Sequence, residues 1–291
     1  MVLPALRKKV SNYLSLVKFA HTIFALPFAL LGFFLASADT GSGISWKLLI
    51  LVLACMFFAR NAAMSFNRWA DRDIDKKNPR TSGREIPAEV IRPSYALAFS
   101  LGNAALFIAT TWFINELCFL LSPVALLIVL GYSLTKRFTS FSHFILGLGL
   151  ALAPTGAYLA VSNHFDIPPL LLSVAVLLWV TGFDIIYALQ DEEFDRDNKL
   201  WSLPVTLGKK HSLQFSLLIH LASALILTFN GYLIHAGIYY WIGLSLFAIL
   251  LFYQHAIVKP DDLSRVNLAF FTLNGIASLL FAAFAITDLL L

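Results

Sequence analysis

Nine apolar stretches dominate the chain, at residues 15–37, 46–69, 94–114, 117–134, 142–162, 168–189, 211–234, 237–257 and 267–289. Each approaches the roughly 20 residues that an α-helix needs to cross about 30 Å of hydrocarbon. A segment inside a bilayer finds no water for its backbone N–H and C=O groups, and a helix satisfies them internally. The sequence therefore predicts an all-α, polytopic membrane protein with nine transmembrane helices in a single membrane domain over residues 1–291. Composition agrees, since 59% of residues are hydrophobic and only 13% charged, far from the balance of a soluble domain. Arg7, Lys8 and Lys9 ahead of a stretch ending Ala36-Ser37-Ala38 imitate a secretory signal. The apolar run is longer than the roughly 7 to 15 residues of a signal core, so a first span is expected instead.

Lysine and arginine gather in alternate connections. The N-terminal segment holds Arg7, Lys8, Lys9 and Lys18, and the loop after the second span holds Arg72, Lys76, Lys77, Arg80, Arg84 and Arg92. Lys136 and Arg137 follow the fourth span, Arg196, Lys199, Lys209 and Lys210 the sixth, and Lys259 and Arg265 the eighth. Positive residues stay on the cytoplasmic side, which predicts an inner (cytoplasmic) membrane protein with its N-terminus in and its C-terminus out. The net charge of +4 thus follows topology and anionic lipid, and no nucleic-acid module accompanies it. No obligate protein partner is evident. Cys55 and Cys118 lack metal-ligand spacing and are expected to pack as small apolar residues.

Two acidic motifs interrupt this apolar chain, Asn67-Arg-Trp-Ala-Asp71-Arg-Asp-Ile-Asp75 and Asp184-Ile-Ile-Tyr187-Ala-Leu-Gln-Asp191-Glu-Glu-Phe-Asp195. Asp71 precedes Asp191 by 120 residues, and Asp75 precedes Asp195 by the same 120. The offset spans four predicted helices, so the second motif enters the membrane frame in the same direction as the first. A parallel internal repeat is the expectation. On a continuous helix Asn67, Asp71 and Asp75 lie within about 80° of one another, with Arg60 on nearly the same stripe, and Asp184, Asp191 and Asp195 within about 40°. Asp73 points the other way, and Asp73, Glu192, Glu193 and Asp197 read as solvated or interface charges.

Ionised carboxylates beside hydrocarbon are costly and mark function. Several sharing one cleft repel and raise each other's pKa unless cations intervene. Oxygen-only ligands point to a hard ion, and Mg²⁺ is typically held by one or two carboxylates together with substrate phosphates. The matched motifs thus predict a diphosphate bound through metal at the cytoplasmic face. The turn-rich run Asn78-Pro79-Arg80-Thr81-Ser82-Gly83-Arg84 is expected to cover the cavity and offer guanidinium groups to phosphate oxygens. Lys136 and Arg137 add cations at the end of the fourth span, where topology alone would also account for them.

These residues resemble the UbiA superfamily of intramembrane prenyltransferases over essentially the whole chain. The resemblance is carried by Asn67-x3-Asp71-x3-Asp75, Asp184-x2-Tyr187-Ala188-x2-Asp191-x3-Asp195, Arg80-Thr81-x2-Arg84-x2-Pro87 and Tyr132-x3-Lys136-Arg137. The start, Lys18-Phe19-Ala20-His21 through Phe28, is similar to the branch acting on 4-hydroxybenzoate. One departure stands out. Many members carry aspartate after the first asparagine, where this chain has Arg68; with Asn78-Pro79-Arg80-Thr81 this is similar to a subgroup linked to menaquinone synthesis through futalosine-type precursors.

The resemblance implies a helical bundle around a central cavity that transfers a polyprenyl group from polyprenyl diphosphate to a small aromatic acceptor. It implies Mg²⁺ on Asp71, Asp75, Asp191 and Asp195, with Asn67 and Asp184 orienting or supplementing them. It further implies diphosphate binding by Arg80, Arg84 and Lys136, diphosphate or acceptor carboxylate on Arg137, and Tyr187 lining the site of an allylic cation. His21 is a candidate to assist at the mouth. An ion-coupled transporter is the rival of another class, but it would keep its acidic residues near the membrane midplane.

Overall fold

The computed structural model describes residues 12–17 and 24–291. Every extended element in it is helical. Helix α1 runs Leu26–Thr40, α2 Trp46–Ala70, α3 Arg72–Lys77, α4 Pro93–Trp112, α5 Glu116–Thr135, α6 Ser142–Ser162 and α7 Ile167–Ala188. A 3₁₀ turn, Leu189–Asp191, leads into α8 Glu192–Asp197, then α9 Leu203–Leu233, α10 Ile238–Ile257, a π-helical turn Leu268–Leu273 and α11 Asn274–Leu290. Among the described residues eight helical stretches are long and apolar enough to cross a membrane, and α1 adds a shorter apolar helix of 15 residues. The chain is a multi-pass integral membrane protein.

Local chemistry sets several of the helix ends. The Ser45 hydroxyl accepts from the Leu48 N–H at 3.4 Å, and Asn115 Oδ1 from the Cys118 N–H at 2.8 Å, each satisfying a first-turn donor. The predicted spans match these elements to within two residues, with two exceptions. The first span extends into residues 18–23, outside the described residues. The seventh begins earlier, at Leu203, because a turn and a half of helix precedes Gly208, whose left-handed φ of 74° kinks α9.

Neither acidic motif lies on one continuous helix, contrary to the expectation from spacing. The helical path breaks at Asp71 (φ −91°, ψ 5°) and again at Asp191 (φ −102°, ψ 1°), and a short helix resumes after each. Both sit in the sparsely populated bridge region of backbone space. The breaks occur at the two positions that the 120-residue offset pairs.

Helix α6 packs on α7 and α1, α9 on α7, α2 on α4, and α10 on α11. The main core lies among α1, α7, α10 and α11, where Phe28, Trp179, Phe247 and Phe281 form an aromatic cluster with centroids 5.3 to 6.5 Å apart. Beside it Trp179 Nε1 donates to Asn274 Oδ1 at 2.8 Å, and Asn274 exchanges two 3.0 Å bonds with Gln254. At Gly32 the α1 backbone approaches Pro154 of α6 so closely that a Cβ would lie 2.1 Å from its carbonyl oxygen. The other half of the bundle is hollow. Helices α2, α4, α5 and α6 enclose an apolar cavity of about 380 Å³, lined along its length by Cys55, Ala63, Cys118, Ala125, Gly149 and Gly156. Both cysteines are free and half-buried.

Candidate active site

The acidic motifs end α2 and α7, helices that run in the same sense, so Asp71 and Asp191 lie at one end of the bundle with the connections 78–92, 136–141 and 198–202. Three of the four motif carboxylates are withdrawn from solvent, Asp71 at 4%, Asp75 at 3% and Asp195 at 8% exposure. Burial pushes the Asp71 carboxyl above the usual carboxylate range, and Lys136 and Arg137 beside it hold it back in part.

Cations from two segments meet these carboxylates. Asp71 takes Arg137 Nη2 at 3.1 Å, Lys136 Nζ at 3.5 Å and Asn67 Nδ2 at 3.0 Å. Asp75 Oδ1 takes Arg84 Nη1 at 2.7 Å. The loop after the first motif then reaches the second. Arg80 donates Nε to Asp191 Oδ1 at 2.9 Å and Nη2 to Asp191 Oδ2, in a two-point grip. Its Nη1 donates to the Tyr187 hydroxyl at 2.7 Å, and Asn78 Nδ2 adds a 3.1 Å bond to Asp191. The loop holds its shape through its own polar groups: the Arg80 N–H donates to Asn78 Oδ1 at 2.9 Å and Thr81 Oγ1 to the Asp75 carbonyl at 3.1 Å. Lys136 is an electrostatic neighbour of both Asp71 and Asp195, so it stands between the two motifs.

The residues singled out from sequence thus gather into one cluster, with two qualifications. Asp184 is turned to His143, whose Nδ1 lies 2.7 Å from its Oδ2, a partner that no sequence spacing announced. His21 lies outside the described residues. Tyr187 stacks on Phe270 with centroids 4.1 Å apart, and the Arg80 guanidinium sits 5.1 Å from its ring centroid. Of the charges read as solvated or interface groups, Asp73 and Glu193 are solvated, at 81% and 85% side-chain exposure. Glu192 is an interface charge, buried at 7% and held by Arg196 and by Lys209 at 3.7 Å. Asn78 was visible in the sequence only as a turn former.

The donor set fits a hard divalent cation. It is made of oxygens, and Asp75 Oδ2 is buried without a hydrogen-bond partner. A buried anionic oxygen left unmatched is costly, and an ion of the Mg²⁺ type answers that need. The apolar cavity begins next to the cluster: Tyr132 lines it, and Tyr132 is an electrostatic neighbour of Asp71.

Comparison with known proteins agrees with this architecture. The family model described as the UbiA prenyltransferase family matches residues 25–276. A 4-hydroxybenzoate octaprenyltransferase of Aeromonas salmonicida (strain A449) is 30% identical over 245 residues, 84% of each chain. That of Tolumonas auensis is 30% identical over 238 residues, 82% of this chain and 83% of its own. Among solved structures, the apo form of a UbiA homolog from Aeropyrum pernix K1 superposes with a TM-score of 0.83 at 32% identity, covering 92% of this chain and 98% of that one. A UbiA homolog from Archaeoglobus fulgidus, bound to DMAPP and Mg²⁺, shares the fold with a TM-score of 0.73 at 22% identity, over 96% and 99% of the two chains. The chain belongs to the UbiA prenyltransferase family.

Proposed function

We propose that this prenyltransferase moves a polyprenyl group from polyprenyl diphosphate to an aromatic quinone precursor, most simply 4-hydroxybenzoate, at the cytoplasmic face of the inner membrane. The observation that carries the reading is the bridge from Arg80 and Asn78 to Asp191, which joins the loop of the first acidic motif to the second. The relatives' names support the acceptor, and the basic connections at this end of the bundle support the orientation.

Asp71, Asp75, Asp191 and Asp195 would hold Mg²⁺, with Asn67 orienting Asp71 through its 3.0 Å bond and Asp184 supplementing the set from its bond to His143. When bound, the metal supplies positive charge against the departing diphosphate. Arg80, Arg84 and Lys136 bind diphosphate oxygens, exchanging their present carboxylate partners for phosphate, and Arg137 stands ready for diphosphate or the acceptor. These donors stabilise the negative charge that grows as the allylic C–O bond breaks. The tail lies in the apolar cavity of α2, α4, α5 and α6, which shelters the allylic cation from water, with the Tyr187 ring lining its site. A ring carbon of the acceptor then bonds to the allylic carbon, and the ring proton passes to the released diphosphate, which restores aromaticity.

A second reading, prenylation of a futalosine-type menaquinone precursor, is supported by Asn67-Arg68 and Asn78-Pro79-Arg80-Thr81. The test is incubation of detergent-purified protein with labelled polyprenyl diphosphate, Mg²⁺ and a panel of aromatic acceptors, with product mass read in the presence and absence of chelator. Labelled lipid formed from 4-hydroxybenzoate and lost on chelation is expected. Product from a futalosine-type precursor alone selects the second reading, and no product from any acceptor overturns both.

A further inference from the structure

His143 enters no step of the proposed chemistry, yet among the described residues it is the only side chain hydrogen-bonded to Asp184. It lies in the first turn of α6 and is buried at 4% exposure. Close packing brings it there. One turn further on, a Cβ at Gly147 would lie 2.5 Å from the Leu177 carbonyl oxygen and 2.6 Å from Thr181 Oγ1, so only glycine lets α6 settle this tightly on α7. The Thr181 hydroxyl in turn lies 2.7 Å from the Leu177 carbonyl oxygen and 3.3 Å from that of His143. At this separation an imidazole spans the two helices, and Nδ1 of His143 reaches Oδ2 of Asp184 at 2.7 Å.

The other ring nitrogen faces α9. That helix starts without a side-chain cap from Ser202, and Pro204 has no N–H to satisfy. The Leu203 N–H donates to His143 Nε2 at 3.4 Å. An N–H aimed at Nε2 requires that nitrogen to be bare, which in a neutral imidazole puts the proton on Nδ1 and makes Nδ1 the donor to Asp184. The ring is thus held from both sides, and turning it over would break both bonds. One oxygen of Asp184 is taken, while Oδ1 has no hydrogen-bond partner among the described residues. Asp184 is an electrostatic neighbour of Tyr132, which also neighbours Asp71 and lines the apolar cavity, and His143 neighbours Asp195. The pair therefore stands within the acidic cluster.

We propose that His143 is a positioning residue of the second acidic motif: its Nδ1–H fixes Asp184 by Oδ2 and leaves Oδ1 available to the divalent cation. The inference rests on the metal-held diphosphate reading above and deepens it, since it gives Asp184 a defined oxygen and a defined support. His143 acts through Asp184 and touches neither cation nor substrate. Carboxylates that hold a metal are themselves hydrogen-bonded, and removing such a partner typically costs about 10- to 100-fold in metal affinity.

The test follows binding of a labelled, non-hydrolysable prenyl thiodiphosphate to the full-length, detergent-purified protein as Mn²⁺ is titrated. His143→Phe, and the smaller His143→Leu, should raise the half-saturating Mn²⁺ by about 10- to 100-fold while thiodiphosphate affinity at saturating Mn²⁺ stays within about threefold. His143→Asn keeps an amide N–H near the place of Nδ1 and loses the bond to Leu203, and should stay within about threefold of wild type. Added to Asp184→Asn, His143→Phe should cost nothing more. Asn as damaging as Phe would assign the residue to anchoring α9 alone. That result, unaltered Mn²⁺ dependence in Phe and Leu, thiodiphosphate binding that is lost even at saturating Mn²⁺, or a further loss in the Asp184→Asn background would each overturn the proposal. Failure of the transferase reading gives a different result, since protein that shows these shifts but transfers no prenyl group to any acceptor leaves the positioning role standing.

Discussion

At Asp191 two guanidinium nitrogens of Arg80 and the amide of Asn78 converge on one carboxylate, and the hydroxyl of Tyr187 takes the remaining arm of the same arginine. This geometry uses the planar fork of arginine, which lysine lacks. Arg80→Lys is therefore expected to behave nearly as Arg80→Ala, each lowering kcat/KM for prenyl diphosphate by roughly 10- to 100-fold in initial-rate assays, in line with the loss of a charge-assisted two-point contact. Recovery of wild-type rates in the lysine variant would show that only charge matters there. At this scale the sequence was informative about which charged residues gather, because carboxylates and guanidiniums are too costly in hydrocarbon to occur idly. It was silent on pairing. Nothing in a spacing links Asp184 to His143 or Asp191 to Asn78, since both contacts are made across separate elements.

The element scale is set by where helices stop and how closely they approach. Apolar length alone gave nearly every boundary, but a helical wheel has no means of registering the bridge-region residues at Asp71 and Asp191. Those breaks bend the chain just where the carboxylates must turn inward. We propose that their matched backbone reflects the parallel duplication expected from the 120-residue offset. Close approach has a sharper consequence at Gly32, where a methyl group would meet Pro154 backbone at 2.1 Å. Neither helix can give without moving its neighbours, and small residues at such crossings are what allow backbones to pack in a membrane. Gly32→Ala should lower thermal stability in detergent by an amount corresponding to about 1–3 kcal/mol of overpacking. Gly102→Ala, in α4 with nothing within 4 Å of the added carbon, should leave the melting temperature unchanged or slightly higher. Equal effects at the two positions would contradict the close-packing argument.

Over the whole molecule the two halves of the bundle divide the work. The α7, α10 and α11 half is filled with aromatic side chains, while α2, α4, α5 and α6 surround the cavity that begins beside the acidic cluster and runs toward the opposite end. Composition could predict apolar helices but not which of them stand apart, because a hollow depends on small residues facing one another across different elements. Gly156 lies on α6 far from the acidic end, and no atom lies within 4 Å of the position its Cβ would take. Gly156→Leu should therefore shorten the available tunnel, leaving transfer from short prenyl diphosphates within about twofold of wild type while reducing transfer from long ones by roughly tenfold or more, since a tail denied burial loses about 0.8 kcal/mol per methylene. Product chain length by mass spectrometry reads this out. An unchanged length profile would place the tail elsewhere.

In the proposed reaction the two acidic motifs act as one site on one diphosphate. This is tested most directly by Mg²⁺-dependent binding of a non-hydrolysable prenyl thiodiphosphate to wild type, Asp71→Asn, Asp191→Asn and the double variant. Groups that serve one bound ligand together are strongly non-additive. Either single substitution is expected to lower affinity by about 100-fold or more, with the double variant hardly worse than the singles. Losses that simply multiply, or one motif whose removal leaves binding intact, would contradict this.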